Sequence, residues 1–388
     1  MAKDAGMKRN QLNTLPDIRS HALIVSGIRR CGKSTLLYQL LREPYPQAVY
    51  VNFDDPRLYD FEINDFVKLD VLIKESGSTV LMFDEIQLIK GSERYVRQKL
   101  DENFQVFVTG SNASLLSREL GSSLTGRHIT KELFPFSYHE YCRFHDLVAR
   151  TETTVLYLKD GGFPEYQKQK NPEILTSLLD DILVRDIAVR YNIRDIKTLQ
   201  RLTLFLLANV GNRVTGNKLK KTFGIASTTT ILEYFSHLEN SYLLSFIPMF
   251  DYSLKKQNNN PKKVYAIDTG LVEINTPNYT KDTGRKFENL VFLALRQRSK
   301  EIFYFSGKGE CDFLVMDKGV ISGAVQVCLE LNSENLQREL SGLYEAMQTF
   351  KLLYGVIVTL SQTDSSTQNG MTITVMPFHQ FVGDTVFQ

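Results

Sequence analysis

The stretch LIVSGIRRCGKSTLL, residues 23–37, constrains this chain more than any other. An apolar run suited to a buried strand breaks into glycine, arginine and lysine, then resumes with Leu36 and Leu37 as the inner face of a helix. Its middle, GIRRCGKS from Gly27 to Ser34, fits G-x-x-x-x-G-K-[ST], the phosphate-binding loop. The glycines let the backbone curl, so that the N–H groups of Gly27, Ile28, Arg29, Arg30, Cys31 and Gly32 turn toward phosphate oxygens at a helix N-terminus. Lys33 would reach the β- and γ-phosphates and the Ser34 hydroxyl would hold Mg²⁺. Thr35 borders the loop one place past the metal-ligand position. The motif therefore predicts ATP or ADP as ligand, with Mg²⁺ as cofactor.

A phosphate-binding loop needs a second apolar strand ending in a carboxylate, and STVLMFDEIQ supplies one. Asp84 is the expected Walker-B acid on Mg²⁺, directly or through its water. Glu85, the next residue, is placed to polarise the attacking water as a general base. A third strand, FQVFVTGSNASLL, ends in Thr109, Gly110, Ser111 and Asn112. Asn112, or Ser111 beside it, would sense the γ-phosphate; turn and N-cap chemistry is the alternative for both. Arg127, in LTGRH, is an always-charged planar donor that suits a γ-phosphate in cis or across a subunit boundary, which would require an oligomer; a surface ion pair is the alternative.

Length and composition set the frame around these motifs. At 388 residues, 43% hydrophobic and 23% charged, the chain is a folded protein of two or three domains. Cys31, Cys142, Cys311 and Cys328 form no CxxC pair, and neither they nor the histidines show zinc spacing, so neither a disulfide framework nor a zinc site is indicated. The first twenty residues lack a signal-peptide core, and no uncharged apolar run approaches the roughly 18 residues of a membrane helix. These features predict a cytoplasmic protein with no membrane partner.

The net charge of +2 hides a local excess. Arg190, Arg194, Lys197, Arg201, Arg213, Lys218, Lys220 and Lys221 face one acid, Asp195. Around them, IKTLQRLTLFLLANVG predicts a helix stopped at Gly211, and a short helix, a turn at Gly224 and a helix capped near Ser227 follow. This is helix-turn-helix spacing. Two β-rich runs flank DYSLKKQNNNP, which predicts a β-ribbon wing carrying Lys255, Lys256, Lys262 and Lys263 with no acid from Ser253 to Lys263. In a DNA-binding reading, these lysines with Lys218, Lys220 and Lys221 contact phosphates while Thr228 to Thr230 face a groove. Protein contact is the alternative.

From Gly284 onward, a helix bearing Glu288, a strand bearing Asp312 and a strand bearing Gln326 and Cys328 resemble a restriction-endonuclease-like core. A working site would have an acid and a lysine where Gln326 and Cys328 stand, and Glu330 lies four places beyond Gln326. The expectation is a degenerate nuclease-like fold without activity.

Taken together, GIRRCGKST, LMFDEIQ, VFVTGSN, LTGR and ELFPFSYHEY, followed by GGFPEY and DILVRDIAVRYNIRD, resemble an AAA-type P-loop ATPase family of bacteria and archaea that continues into a C-terminal domain of unknown function. The resemblance implies ATP binding, slow hydrolysis and control of nucleic-acid transactions or regulatory assemblies. The resulting expectation is an α/β AAA-type domain over residues 1–150, a helical linker region over 151–195, a winged-helix-like domain over 196–270 and a restriction-endonuclease-like domain over 271–388. The leading functional expectation is an Mg²⁺-dependent ATPase that couples its nucleotide state to a DNA-associated regulatory or remodelling role. A STAND-like signalling switch acting through protein partners is the alternative, and an ATP-dependent nuclease is a third.

Overall fold

In the computed structural model the described residues are 6–16, 18–111, 124, 126–276 and 282–383. Asn112 lies outside them. The chain divides into two compact units, residues 1–135 with 240–242, and residues 136–239 with 243–388. No helix among the described residues is long and apolar enough to cross a membrane.

The first unit is built on five parallel strands: β1 (Ala22–Ser26), β2 (Val49–Asn52), β3 (Val80–Asp84), β4 (Gln105–Gly110) and β5 (His128–Glu132). They lie in the order β2-β3-β4-β1-β5, with helices α1 (Lys33–Arg42), α2 (Phe66–Ser76) and α3 (Ser92–Asp101) among the connections. Every residue of β1 is buried, as expected of a parallel strand covered on both faces. One apolar cluster gathers Ile24, Phe83 and Val108 from three strands with Phe66 and Tyr95 from α2 and α3, whose rings stack at 3.9 Å. Because β4 lies between β1 and β3, the strand ends at Ser26, Gly110 and Asp84 come to one edge of the sheet. In open parallel sheets that carboxyl edge is where ligands bind. This is the P-loop AAA fold that the sequence predicts.

The second unit begins with helices over Tyr138–Phe144, Thr151–Asp160, Pro164–Gln169 and Glu173–Asp181, the last running into a π-helical stretch, Ile182–Val189. The GGFPEY motif belongs to close packing here. The Asp268 carboxylate accepts hydrogen bonds from the Gly162 N–H at 2.6 Å and the Leu271 N–H at 2.8 Å. A Cβ at Gly161, where φ is +67°, would collide with that carboxylate.

Next come α4 (Ile196–Ala208), β6 (Arg213–Val214), α5 (Gly216–Phe223), α6 (Thr228–Asn240), β7 (Leu244–Pro248), α7 (Leu254–Asn259) and β8 (Lys262–Ala266). The three strands form an antiparallel sheet in the order β6-β8-β7. Asp195 caps α4 by accepting from the Thr198 N–H, and Gly224 ends α5 in the left-handed conformation. The expected β-ribbon tip is instead the short helix α7, which carries Lys255 and Lys256.

A six-stranded sheet completes the unit, in the order β13-β14-β12-β11-β10-β9. Its elements follow as α8 (Thr283–Arg296), β9 (Ile302–Ser306), β10 (Glu310–Asp317), β11 (Val320–Val327), α9 (Leu336–Phe350), β12 (Tyr354–Thr359), β13 (Asp364–Gln368) and β14 (Met371–Pro377). The face under α8 is packed with Phe287, Val291 and Phe313, and the face under α9 with Leu314, Leu343 and Ile357. Glu288 rides on α8, Asp312 on β10 and Gln326 on β11.

Candidate nucleotide site

The loop from Gly27 to Gly32 leaves β1 and enters α1 at Lys33. Gly27 has φ +151°, and a Cβ there would strike the Leu133 carbonyl oxygen, so the loop can lie this close to the chain leaving β5 only with glycine. Lys33 is 5% exposed, and its Nζ donates to the carbonyl oxygens of Gly27 and Ile28, each at 3.1 Å. The ammonium is thus already turned into the loop it serves. Cys31 is fully buried, which pushes its thiol up against the lowering pull of Lys33 and Arg9. Such a thiol is inert packing.

Asp84 is also fully buried at the end of β3. The Thr109 hydroxyl, from β4, donates to its Oδ1, and the Tyr50 hydroxyl, from edge strand β2, donates to its Oδ2 at 2.7 Å. Tyr50 in turn lies 3.0 Å, oxygen to oxygen, from Tyr38 on α1, one helical turn beyond Ser34. Burial and the neighbouring Asp84 push the Tyr50 phenol well above its ordinary value, so it remains a donor. Glu85 turns the chain with φ +53°. Its N–H donates to Thr109 Oγ1 at 3.0 Å, its carboxylate accepts from Gln87, and its Oε1 stands 3.9 Å from Lys33 Nζ. Lys33, Asp84 and Glu85 therefore meet at the sheet edge where the loop opens, and Ser34 and Thr35 are half-buried in the first turn of α1.

Three residues of this site were assigned no role from the sequence. Thr109 closes its strand in the sequence reading, but the structure makes its hydroxyl the bridge between Asp84 and Glu85, while Ser111 is buried just past the strand. Tyr50 reads as an ordinary strand residue in VYVN. Arg9, in a segment of no recognisable pattern, is 3% exposed and donates from Nη1 to the Cys31 carbonyl and from Nη2 to the Phe134 carbonyl, both at 2.8 Å. It ties the loop to the chain that follows β5.

Two expectations are corrected. Arg127 does not reach a γ-phosphate in cis: its carbonyl accepts from the Ala22 N–H at the start of β1, the opposite end of the sheet from the loop, and its guanidinium pairs with Asp101 at 2.6 Å. Five strand residues separate those edges by about 16 Å, more than an arginine side chain spans. Lys263 is no wing-tip phosphate contact either. It is 3% exposed because β8 runs back into the unit, and its Nζ lies 2.8 Å from Asp312, 2.9 Å from Glu288 and 3.0 Å from Glu310.

Residues 19–142 match the AAA domain family and residues 151–278 a domain of unknown function (DUF8612). The chain is 32% identical over 357 residues to "Uncharacterized protein MJ1544" of Methanocaldococcus jannaschii, covering 85% of this chain and 79% of that one. An "Uncharacterized protein" of Haemophilus influenzae is 28% identical, with coverages of 80% and 86%. Among solved structures, a single-substitution variant of Thermotoga maritima RuvB aligns at 18% identity and a TM-score of 0.31, over 59% of this chain and 82% of that chain. The Aeropyrum pernix ORC1 protein in complex with DNA aligns at 10% identity and a TM-score of 0.30, over 66% and 86%. The chain belongs to the family of AAA-type P-loop ATPases that continue into a C-terminal domain of unknown function.

Proposed function

We propose that the first unit hydrolyses ATP with Mg²⁺ and that its nucleotide state governs a nucleic-acid-binding second unit. The observation that carries the ATPase part is the Thr109 hydroxyl, which fixes the Asp84 carboxylate and the Glu85 backbone together beside Lys33. The donor set suits the ligands. Ser34 and Asp84 offer the hard oxygens that Mg²⁺ takes, and the loop N–H groups with Lys33 offer the donors that phosphates take. Mg²⁺ held by Ser34 and Asp84 would offset the charge of the phosphates.

On ATP entry Lys33 exchanges the Gly27 and Ile28 carbonyls for phosphate oxygens, a shift within its own side chain. Glu85, 22% exposed, accepts a hydrogen bond from the attacking water and orients it toward the γ-phosphorus. Thr109 keeps the Glu85 backbone in register with the Asp84 carboxylate. Loss of the γ-phosphate then releases Lys33 and whatever loop it holds.

The DNA part of the reading is supported by the helix and strand order from α4 to β8, that of a winged helix, and by its lysines. Lys218 and Lys221 are exposed and Lys220 half-exposed on α5, Lys255 and Lys256 are exposed on α7, and Lys262 is half-buried in β8. One observation favours the second reading, a signalling switch that acts through protein partners. The outward face of α6 carries Leu232, 49% exposed, and exposed Glu233, apolar and acidic where a duplex calls for basic contacts.

The test is binding of mixed-sequence duplex DNA across a salt series, together with ATP turnover with and without that DNA. The proposal expects salt-sensitive binding, stimulation of turnover, and loss of both when Lys218, Lys220 and Lys221 are changed to Glu. Turnover indifferent to DNA at low salt, with no binding, moves the assignment to a protein partner.

A further inference from the structure

The αβββαβ order running from α8 to β12 implies a divalent metal held by Glu288, Asp312 and an acid on β11. The residues present do not fit one. A metal needs carboxylate oxygens free to face it, and here Oε1 of Glu288 and both oxygens of Asp312 and of Glu310 are engaged. Oε1 of Glu288 accepts from Lys263 at 2.9 Å and from the Tyr265 hydroxyl at 2.6 Å. In Asp312, Oδ1 accepts from Lys263 at 2.8 Å and Oδ2 from the Val327 N–H at 2.9 Å. Glu310 pairs with Lys263 through Oε1 at 3.0 Å and with Arg213 through Oε2 at 2.7 Å. On β11, Gln326 turns its amide oxygen to the Asp312 N–H and its nitrogen to Glu339.

We propose that Lys263 is the resident cation of this carboxylate cluster: its ammonium stands where a nuclease of this fold order holds a divalent metal, so the pocket takes no metal and cuts no phosphodiester.

The lysine comes from outside the nuclease-like segment, where Cys328 stands in place of a lysine. It projects from β8, whose register is fixed on both sides by pairing with Arg213 of β6 and Ile247 of β7. The pairing fixes the backbone of Lys263, and its ion pairs to Glu288, Glu310 and Asp312 hold the ammonium on the cluster. Burial works against its charge, but Asp312, Tyr265, Glu288 and Glu310 outweigh that and hold its pKa well above the ordinary lysine value. The cluster needs the cation as much as the reverse. Three carboxylates gathered around one point repel one another, and removing their shared partner leaves buried charge uncompensated. Burial and Asp312 already push Glu288 up to about 7 even with the lysine present. The arrangement converts a hydrolytic pocket into a joint between the three-stranded and six-stranded sheets of the second unit.

The probe is Mn²⁺, titrated by electron paramagnetic resonance into nucleotide-free full-length protein carrying Asp84→Asn, with and without Asp312→Asn. The expected result is that Asp312→Asn changes nothing, because no metal sits on the cluster. A Mn²⁺ site that disappears with Asp312→Asn, or metal-dependent cutting of DNA abolished by Asp312→Ala, overturns the proposal. In a second arm, Lys263→Met should melt roughly 10 °C lower than Lys262→Met and regain part of the loss in millimolar Mn²⁺, whereas the wild type gains nothing. An unchanged melting temperature in Lys263→Met also overturns it. If Lys263→Met does not fold, the first arm still decides.

Discussion

Tyr50 donates its phenol hydrogen to Oδ2 of Asp84 across 2.7 Å, from the edge strand of the sheet into its buried interior. With Thr109 on the other oxygen, the carboxylate proposed to hold Mg²⁺ is aimed by two hydroxyls before any ligand arrives. Partners of this kind orient a ligating carboxylate, and losing one commonly costs ten- to a hundredfold in metal affinity. Tyr50→Phe should therefore raise the Mg²⁺ concentration for half-maximal ATP turnover roughly tenfold, with nucleotide affinity in the absence of metal unchanged. An unaltered Mg²⁺ dependence would assign Tyr50 to packing alone.

Arg9 acts on the loop rather than on the nucleotide. Its fork holds the Cys31 and Phe134 carbonyls together, and lysine cannot reproduce two parallel donors from one planar group. Arg9→Lys should weaken ATP binding several-fold, seen as a higher KM with kcat nearly unchanged, because the loop loses its preset curvature while Glu85 keeps its place. A drop in kcat at constant KM would contradict this.

Asp268 predicts a pH dependence of folding. Complete burial pushes its carboxyl up to about 7, against the lowering pull of the Gly162, Leu271 and Gly270 N–H groups, and Asp160 adds to the rise. The folded state thus keeps a proton that the unfolded chain, with the ordinary carboxyl value of 3.8, has already lost. The associated stability is fully present below about pH 4 and disappears as pH rises through 7. Glu288, raised from 4.5 to about 7, contributes with the same sign. Asp268→Asn removes one of these two contributions, so denaturant midpoints of wild type and variant should converge or cross between pH 5 and pH 8, by a difference of a few kcal/mol at most. Parallel curves would place the proton elsewhere.

The sequence made the nucleotide site legible where chemistry forces residue type at fixed spacing. Gly27, Lys33, Ser34, Asp84 and Glu85 sit in motifs that admit few alternatives, and the parallel sheet follows from apolar strands that end in them. Tyr50, Thr109 and Arg9 were not legible because their roles depend on which strand becomes a neighbour, which no local pattern encodes. Arg127 misled for the same reason. An arginine after a glycine suits a phosphate until strand β5 places it at the wrong end of the sheet. Lys263 shows the same effect in the second unit. It reads as one of four wing lysines, and only the pairing of β8 with β6 and β7 turns it inward onto Glu288 and Asp312, 25 and 49 residues away. The antiparallel pairing of β7 with β8 was anticipated, but the tip between them closes as a helix.

Nucleotide binding and hydrolysis at this site separate in two variants. Fluorescent ATP-analogue binding and steady-state ATP turnover with Mg²⁺ would be measured for the wild type, Lys33→Ala and Glu85→Gln. Glu85→Gln should bind nucleotide as the wild type does yet lose turnover by roughly a hundredfold or more, whereas Lys33→Ala should lose both. Turnover in Glu85→Gln equal to that of the wild type would contradict the assignment of Glu85, and nucleotide binding intact in Lys33→Ala would contradict the site itself.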